Sequence, residues 1–362
     1  MTAPSVRVAV VGCGDISSLH LAAIAARPTA TLVAVCDVHQ GRLTESSRIH
    51  AVPGFSDFDD MLATAAPDVV HICTPHHLHA PMAVAALQRG IHVVLEKPLA
   101  HSREEGRRII AAAEASGARI GICLQNRYNA STSAAAAVLA SGELGQVLGA
   151  SATVIWSRTA DYYLDRPWRG RWASAGGGLL MNQAIHTLDL LQWLVGPVAG
   201  VSGHAATRAL ADVIEVEDTA ELVLEHVRGM RSVFFATNAH AVNAPVVIDI
   251  VLERGSLRIA GDLIVTRADG STETVAEQNA PTGARSYWGV SHERLINDFY
   301  DTLDSPEPFW ISPEEAYISL DIIQQVYDQS YPERALPAEE NHPAAGRDAR
   351  PAGPNEQRKT YA

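Results

Sequence analysis

An amide, an imidazole and a carboxylate stand in an apolar run, "GGGLLMNQAIHTLDLLQWLVG", residues 176–196: Asn182, His186 and Asp189. A buried helix avoids such groups unless each finds a partner. At spacings of four and three they are neighbours on one helix face. A neutral imidazole on that face can accept a hydroxyl proton. Asn182 would orient the substrate or the ring, and Asp189 would hold the ring through its second nitrogen. The expected signature is a rate that rises with pH through the ionisation of His186. The other reading is a core histidine satisfied by Asp189, without chemistry. A second reactive group stands in "IHVVLEKP", residues 91–98. Pro98 disfavours the helical region for Lys97 and so holds it extended at a strand end. There the ammonium can hydrogen-bond a reacting oxygen and stabilise its developing charge. Glu96, as a strand neighbour, points to the opposite face. An ion pair of Lys97 with Glu96 at the surface is the alternative.

The elements that position these groups begin with "VRVAVVGCGDISSLHLAAIAA", a strand, a glycine turn and a helix. Gly12 and Gly14 fill the first two places of a G-x-G-x-x-G pattern and Ser17 the third. The first glycine permits a tight turn, and the second lets backbone approach a pyrophosphate at a helix N-terminus. The strand "TLVAVCD" ends in Asp37, 23 positions after Gly14. That is close to the ~20-residue spacing of a ribose-binding acid. Asp37 would accept the ribose hydroxyls and repel a 2′-phosphate, favouring NAD over NADP, while nearby Arg42 would soften the repulsion. A helix-capping aspartate is the plainer reading. Further strand–helix units follow: "VVHICTP" with "HAPMAVAALQRG", "IHVVLEKP" with "SREEGRRIIAAAEASG", then "ARIGICLQNRY". Repeated units of this kind predict an α/β fold whose first half is a doubly wound parallel sheet of the Rossmann type. Its ligand lies at the strand carboxyl ends, where Asp37, Thr74, Lys97 and Gln125 fall.

Composition narrows the classes. The chain has 362 residues, 47% apolar and 19% charged, which suits a soluble protein of more than one domain. There are 28 Lys+Arg against 41 Asp+Glu, a net charge of −13, which argues against nucleic-acid or anionic-membrane partners. No apolar run reaches a membrane span of about 20 residues, and no signal peptide is expected ahead of the first strand. A cytoplasmic home follows. Cys13, Cys36, Cys73 and Cys123 show no C-x-x-C pairing and read as reduced thiols, mostly buried. His76, His77 and His79 sit at one helix start without a clustered acid or thiol. Cofactor contact or a solvated helix start is favoured over a metal.

After Gln125 the pattern changes. A helix over "NASTSAAAAVLASGELG" precedes strand runs at 146–157, 198–208, 220–226, 231–240, 245–253, 255–261 and 262–268. Their alternation predicts strands with one face buried and the other covered elsewhere or wet. Residues 271–288 read as loop. "SHERLINDFYDTL" and "SPEEAYISLDIIQQVYDQS" read as helices, the second opened by Ser312 and Pro313 with Glu315 completing a capping box. The division expected is 1–125, 126–331 and a Pro/Ala/charge-rich tail, 332–362. The stretch "DYYLDRPWRGRW", 161–172, holds aromatics that can pack on a pyranose and arginines that can donate to hydroxyls or acids. A surface loop plugging a groove is the competing reading.

Together, "GCGDIS", "VCD", "CTPHHLHAPMAVAALQRGIHVVLEKPLA" and "GGGLLMNQAIHTLDLLQWLVG" resemble the Gfo/Idh/MocA oxidoreductases, over about residues 6–331. The resemblance implies an NAD(P)-dependent enzyme that oxidises a secondary hydroxyl of a sugar, glycoside or cyclitol, or runs the reverse reduction. It implies a second-half α/β domain with a large open, mainly antiparallel sheet that builds a homodimer or homotetramer. Lys97, His186 and Asn182 would be catalytic, Asn182 standing where inositol dehydrogenase-like members carry aspartate. The implied cofactor contacts are Gly12, Gly14, Asp15, Ile16, Asp37, Arg42, Thr74, Pro75, His76, His79, Glu96, Lys97 and Gln125. The implied substrate contacts are Lys97, Arg127, Tyr163, Arg169, Trp172, Asn182, His186 and Tyr287. Two rival functions remain open: an NAD-retaining glycoside-cleaving enzyme, which would accumulate no NADH, and a non-catalytic NAD or sugar sensor.

Overall fold

The computed structural model describes residues 5–277 and 291–335. Its first sheet is built from β1 (Val6–Val11), β2 (Ala30–Cys36), β3 (Gly54–Phe55), β4 (Val69–Ile72), β5 (His92–Leu95) and β6 (Ile120–Ile122). Every pairing is parallel, in the order β3-β2-β1-β4-β5-β6. This is the doubly wound order with its switch point between β1 and β4. The valine-rich central strands are buried on both faces, which explains their lack of alternation.

The second sheet contains β7 (Val147–Ile155), β8 (Val198–Ala206), β9 (Thr219–His226), β10 (Arg231–Thr237), β11 (Val247–Leu252), β12 (Gly255–Ala260), β13 (Asp262–Arg267) and β14 (Thr272–Val275). Its order is β14-β13-β12-β11-β7-β10-β9-β8. All pairs are antiparallel except β7 with β10. The alternation in sequence reports the two faces. Phe234, Leu222, Leu224, Ile248, Ile250, Leu257 and Val265 are buried on one, while Val233, Phe235, Val251 and Ile264 are exposed on the other. β14 corrects the expected loop over 271–288: "TETV" is a short polar edge strand, too exposed to show an apolar signal.

Two helices near the C-terminus return to the first half. Ser291–Asp301 packs on Ser17–Ala26, and Pro313–Ser330 packs on Arg103–Ser116 as well as on β8 and on Ile185–Val195. The capping box of the latter forms only in part. The Glu315 amide donates to Ser312 Oγ, but the Glu315 carboxylate turns to Arg127 instead.

Candidate active site

The turn after β1 shows why glycine stands at position 12. Its φ is +87°, and a Cβ there would lie 2.6 Å from the Cys73 carbonyl oxygen at the end of β4. A Cβ at Gly14 would meet nothing within 4 Å, so backbone there faces open space. Ser17 Oγ donates to the Gly14 carbonyl, and the helix Ser17–Ala26 opens without an acidic residue in its first turn. Asp15 and Ile16 lie in this turn. At the end of β2, Asp37 is buried and accepts from the Cys13 and His39 amides. Both its oxygens also accept from Arg42, at 3.0 and 2.9 Å. Burial opposes its ionisation, but Arg42 and the two amides hold its carboxyl below the usual range.

Thr74 and Pro75 follow β4, and Gln125 follows β6, placing all three at strand carboxyl ends. Among the described residues the Gln125 Oε1 atom is buried without a partner, as is His186 Nδ1. An ionised acid at the end of β2, open space at Gly14 and orphaned polar atoms around the cleft fit a bound dinucleotide.

The histidine pair expected at the cofactor does something else. His79 is fully buried, with Nδ1 2.8 Å from the Pro98 carbonyl and Nε2 3.0 Å from that of Thr74. It ties the end of β4 to the Lys97–Pro98 turn, whose peptide bond is cis. His76 Nδ1 meets the Ala175 carbonyl and His77 Nδ1 that of Ser174. These rings bind the first half to the segment before the glycine run. Burial pushes His79 down to about 4 and His76 well below its ordinary value, so both stay neutral. Glu96 is likewise no surface partner of Lys97. It is buried, and its Oε1 accepts from His20 Nε2 at 3.0 Å and His292 Nε2 at 3.1 Å. His20 continues through His71 to Tyr300. Burial opposes ionisation of Glu96, yet the bonds from His20 and His292 hold its carboxyl well below the usual range.

The decisive stretch opens on Gly176, Gly177 and Gly178, where a Cβ would fall 2.0 Å from the His101 carbonyl, 2.1 Å from Tyr327 and 2.0 Å from the Glu217 carbonyl. Glu217 accepts from the Gly178 and Leu180 amides, both at 2.8 Å, and from Tyr327 at 2.7 Å. Burial pushes this carboxyl up to about 7 against those donors. Leu180–Ala184 then forms a π-helical turn before the α-helix Ile185–Val195. Such wide turns loosen the regular ladder and recur at functional sites. Here the Asn182 carbonyl accepts from Lys97 Nζ at 2.7 Å.

Within 179–195 only Asn182, His186 and Trp193 escape burial. Asn182 and His186 thus each keep a partly exposed side. Asp189 does not. It is buried, gripping Arg127 through both oxygens at 2.8 and 2.7 Å, with Ser319 and Gln192 as further donors. The expected Asp189–His186 bond is thus replaced by an ion pair, because an arginine fork outcompetes an imidazole for both oxygens. Arg127, expected at the substrate, is enclosed with Asp189, Glu315, Trp193 and Trp310. Burial, with the charge of Lys97 beside it, pushes His186 down to about 3. The expected rise in rate through its ionisation therefore falls below any working pH. Burial also lowers Lys97, Arg169 adding to the effect and Glu96 opposing it.

In the aromatic stretch the structure selects Tyr162 over Tyr163. Tyr162 OH accepts from Gln183 at 2.9 Å and Asn182 at 3.4 Å. Arg169 lies over its ring at 4.2 Å. Tyr163 is buried in a small cluster with Ile214 and Val216, its hydroxyl bonded by Asn238. Adjacent residues on a short helix point apart, and the sequence alone did not say which faced inwards. Trp172 donates to the Glu215 carbonyl and packs on Tyr327 and Tyr331, away from the Asn182 face. Tyr287 lies outside the described residues. Tyr162, Arg158 and Glu217 were missed; Glu217 meets Gly178 from 39 positions away, beyond the reach of any local spacing.

A switch-point crevice, an ionised acid and a lysine facing an imidazole-bearing helix define a nicotinamide-dependent oxidoreductase. Residues 6–123 match the oxidoreductase family with NAD-binding Rossmann fold, GFO/IDH/MocA, and 132–258 match that family's C-terminal domain. The chain belongs to this family. The WlbA dehydrogenase of Bordetella pertussis, solved with NADH and UDP-GlcNAcA, is 31% identical, with a TM-score of 0.79 over 91% of this chain and 97% of that one. D-apiose dehydrogenase of Paraburkholderia graminis is 25% identical over 301 residues, 80% of this chain and 77% of that protein. D-glucoside 3-dehydrogenase of Escherichia coli is 29% identical over 219 residues, 57% of this chain and 59% of that protein's length. No helix among the described residues is long and apolar enough to cross a membrane.

Proposed function

We propose that this oxidoreductase is an NAD-dependent dehydrogenase acting on a secondary hydroxyl of a sugar, glycoside or cyclitol. The observation that carries the reading is Lys97 Nζ held on the Asn182 carbonyl, beside the open face that bears His186. Sugar-oxidising relatives support it. NAD would be held by the Gly12–Gly14 turn, Asp37 and the ends of β4 and β6, and supplies the hydride acceptor. Lys97 hydrogen-bonds the reacting oxygen and offsets its growing negative charge. His186, kept neutral by burial, receives the hydroxyl proton. Asn182 and Tyr162 orient the sugar. The proposed division into 1–125, 126–331 and a tail, a homodimer or homotetramer, and a cytoplasmic setting complete the reading.

The lowered pKa of Lys97 favours a second reading, in which neutral Lys97 is itself the base. The pH profile separates the two by sign. If Lys97 must be an ammonium, kcat falls as pH rises through its lowered pKa; if it is the base, kcat rises there. Lys97→Met keeps the chain length and should cost about 10²–10³ in kcat, with NAD affinity retained. A mutant with near-normal turnover defeats both readings. Accumulation of NADH with substrate separates this activity from an NAD-retaining glycoside-cleaving one.

A further inference from the structure

Two arginines beside the proposed site pair with no acid among the described residues. Arg158 Nη1 donates to the Ser157 carbonyl at 2.7 Å and to Asn243 Oδ1 at 3.1 Å. Arg169 Nη1 donates to the Tyr162 carbonyl at 3.3 Å. Among the described residues neither guanidinium reaches a carboxylate, whereas Arg171 in the same stretch is paired with Glu215. Both converge on one ring: Arg158 lies 5.3 Å and Arg169 4.2 Å from the centre of Tyr162. That ring's hydroxyl meets Asn182, whose carbonyl holds Lys97.

Three cations therefore cluster around Tyr162 and Asn182 in a chain with 41 acidic residues against 28 basic ones. Like charges so placed repel, and stacking on tyrosine offsets only part of that repulsion. Burial lowers the pKa of Lys97, and Arg169 adds to that against the opposing charge of Glu96. A neutral sugar would leave the repulsion standing.

We propose that the substrate carries an anionic group, a carboxylate or a phosphate, received by Arg169 and Arg158. The inference rests on the placement of the sugar site proposed above. Binding of the anion neutralises the arginines and lets Lys97 keep its ammonium at the reacting oxygen. The anion thereby assists the chemical step as well as affinity, binding energy from a remote group being used at the reacting centre.

The experiment compares matched sugars with NAD: D-glucose and methyl glucoside as the neutral arm, D-glucuronate as the carboxylate arm and glucose phosphates as the phosphate arm. One acidic arm should exceed the neutral arm in kcat/KM, and which one does identifies the anion. Arg169→Gln and Arg158→Gln should each lower the acidic-to-neutral ratio by about 10-fold or more, as expected for loss of a charged hydrogen bond. A neutral arm as good as both acidic arms, or a ratio unmoved by either variant, overturns the proposal. Calorimetric titration of glucuronate and glucose phosphate into NAD-loaded Lys97→Met protein needs no turnover. Binding there that Arg169→Gln weakens about 10-fold supports the proposal even if no sugar is oxidised, in which case the dehydrogenase reading alone fails. Absence of binding by either anion overturns it.

Discussion

At the scale of single residues, the proposed ribose end of the cofactor site turns on a competition for Asp37. The carboxylate is ionised and in that reading would receive the ribose hydroxyls, but Arg42 already occupies both its oxygens. Asp37→Ser removes the repulsion towards a 2′-phosphate and frees the Arg42 fork to receive one. The ratio of kcat/KM for NADP over NAD should rise by about 10-fold or more, equivalent to ~1.4 kcal/mol. A wild-type enzyme that prefers NADP by the same factor would show the acid to be structural. Much at this scale was legible in sequence. Gly12, Asp37, Lys97 and the spacing of Asn182 and His186 reflect backbone rules that act over a few residues. The partners were not. Asp189 looked like the neighbour of His186, but Arg127 claims it from 62 positions away. His79 looked like a ribose contact but braces two turns. Side chains with several possible partners are assigned by tertiary packing, which spacing does not encode.

At the scale of elements, the buried cluster of Arg127, Asp189 and Glu315 fastens the turn after β6 to the helices Ile185–Val195 and Pro313–Ser330. The Arg127 side chain is 0% exposed. Arg127→Ala would leave the Asp189 carboxylate buried with only neutral donors, at a cost of about 3–5 kcal/mol. Urea unfolding should show that loss as a lower midpoint. Arg127→Met combined with Asp189→Leu should recover part of it, because no charge is then stranded. A single mutant within 1 kcal/mol of wild type, an approximate threshold for an exposed pair, would mean the cluster is hydrated. The elements themselves were largely readable, since buried strands and alternating strands leave different patterns. β14 escaped because it is a polar edge strand, and the π-helical turn because nothing in "LMNQA" distinguishes it from an α-helix.

At the scale of the whole molecule, the outer face of the second sheet carries Val233, Phe235, Val251 and Ile264 in the open, Val233 being 53% exposed. Exposed apolar residues gathered on one face mark an association surface. A two-fold pair of such sheets would bury both copies. Sedimentation should therefore find a homodimer or homotetramer at micromolar concentration. Phe235→Asp, on the central β10, should shift the population towards smaller species. Monomer alone in the wild type would leave this face without an explanation. Strand alternation gave the strands and their buried face, and the family resemblance gave the open sheet, but the order is a tertiary fact: consecutive strands gave no hint that β7 would sit beside β10.

That order has a bearing on how the chain is made. β7 ends at Ile155, yet its neighbours are β10, which ends at Thr237, and β11, which ends at Leu252. During synthesis the first strand of the second sheet waits while the whole lysine-facing helix, β8 and β9 emerge. Only then can it gain either flank. The Rossmann strands, by contrast, are all in hand by Ile122. The helix Ile185–Val195 is thus born between a platform that can already close and a sheet that cannot, and its burial is among the later contacts to form.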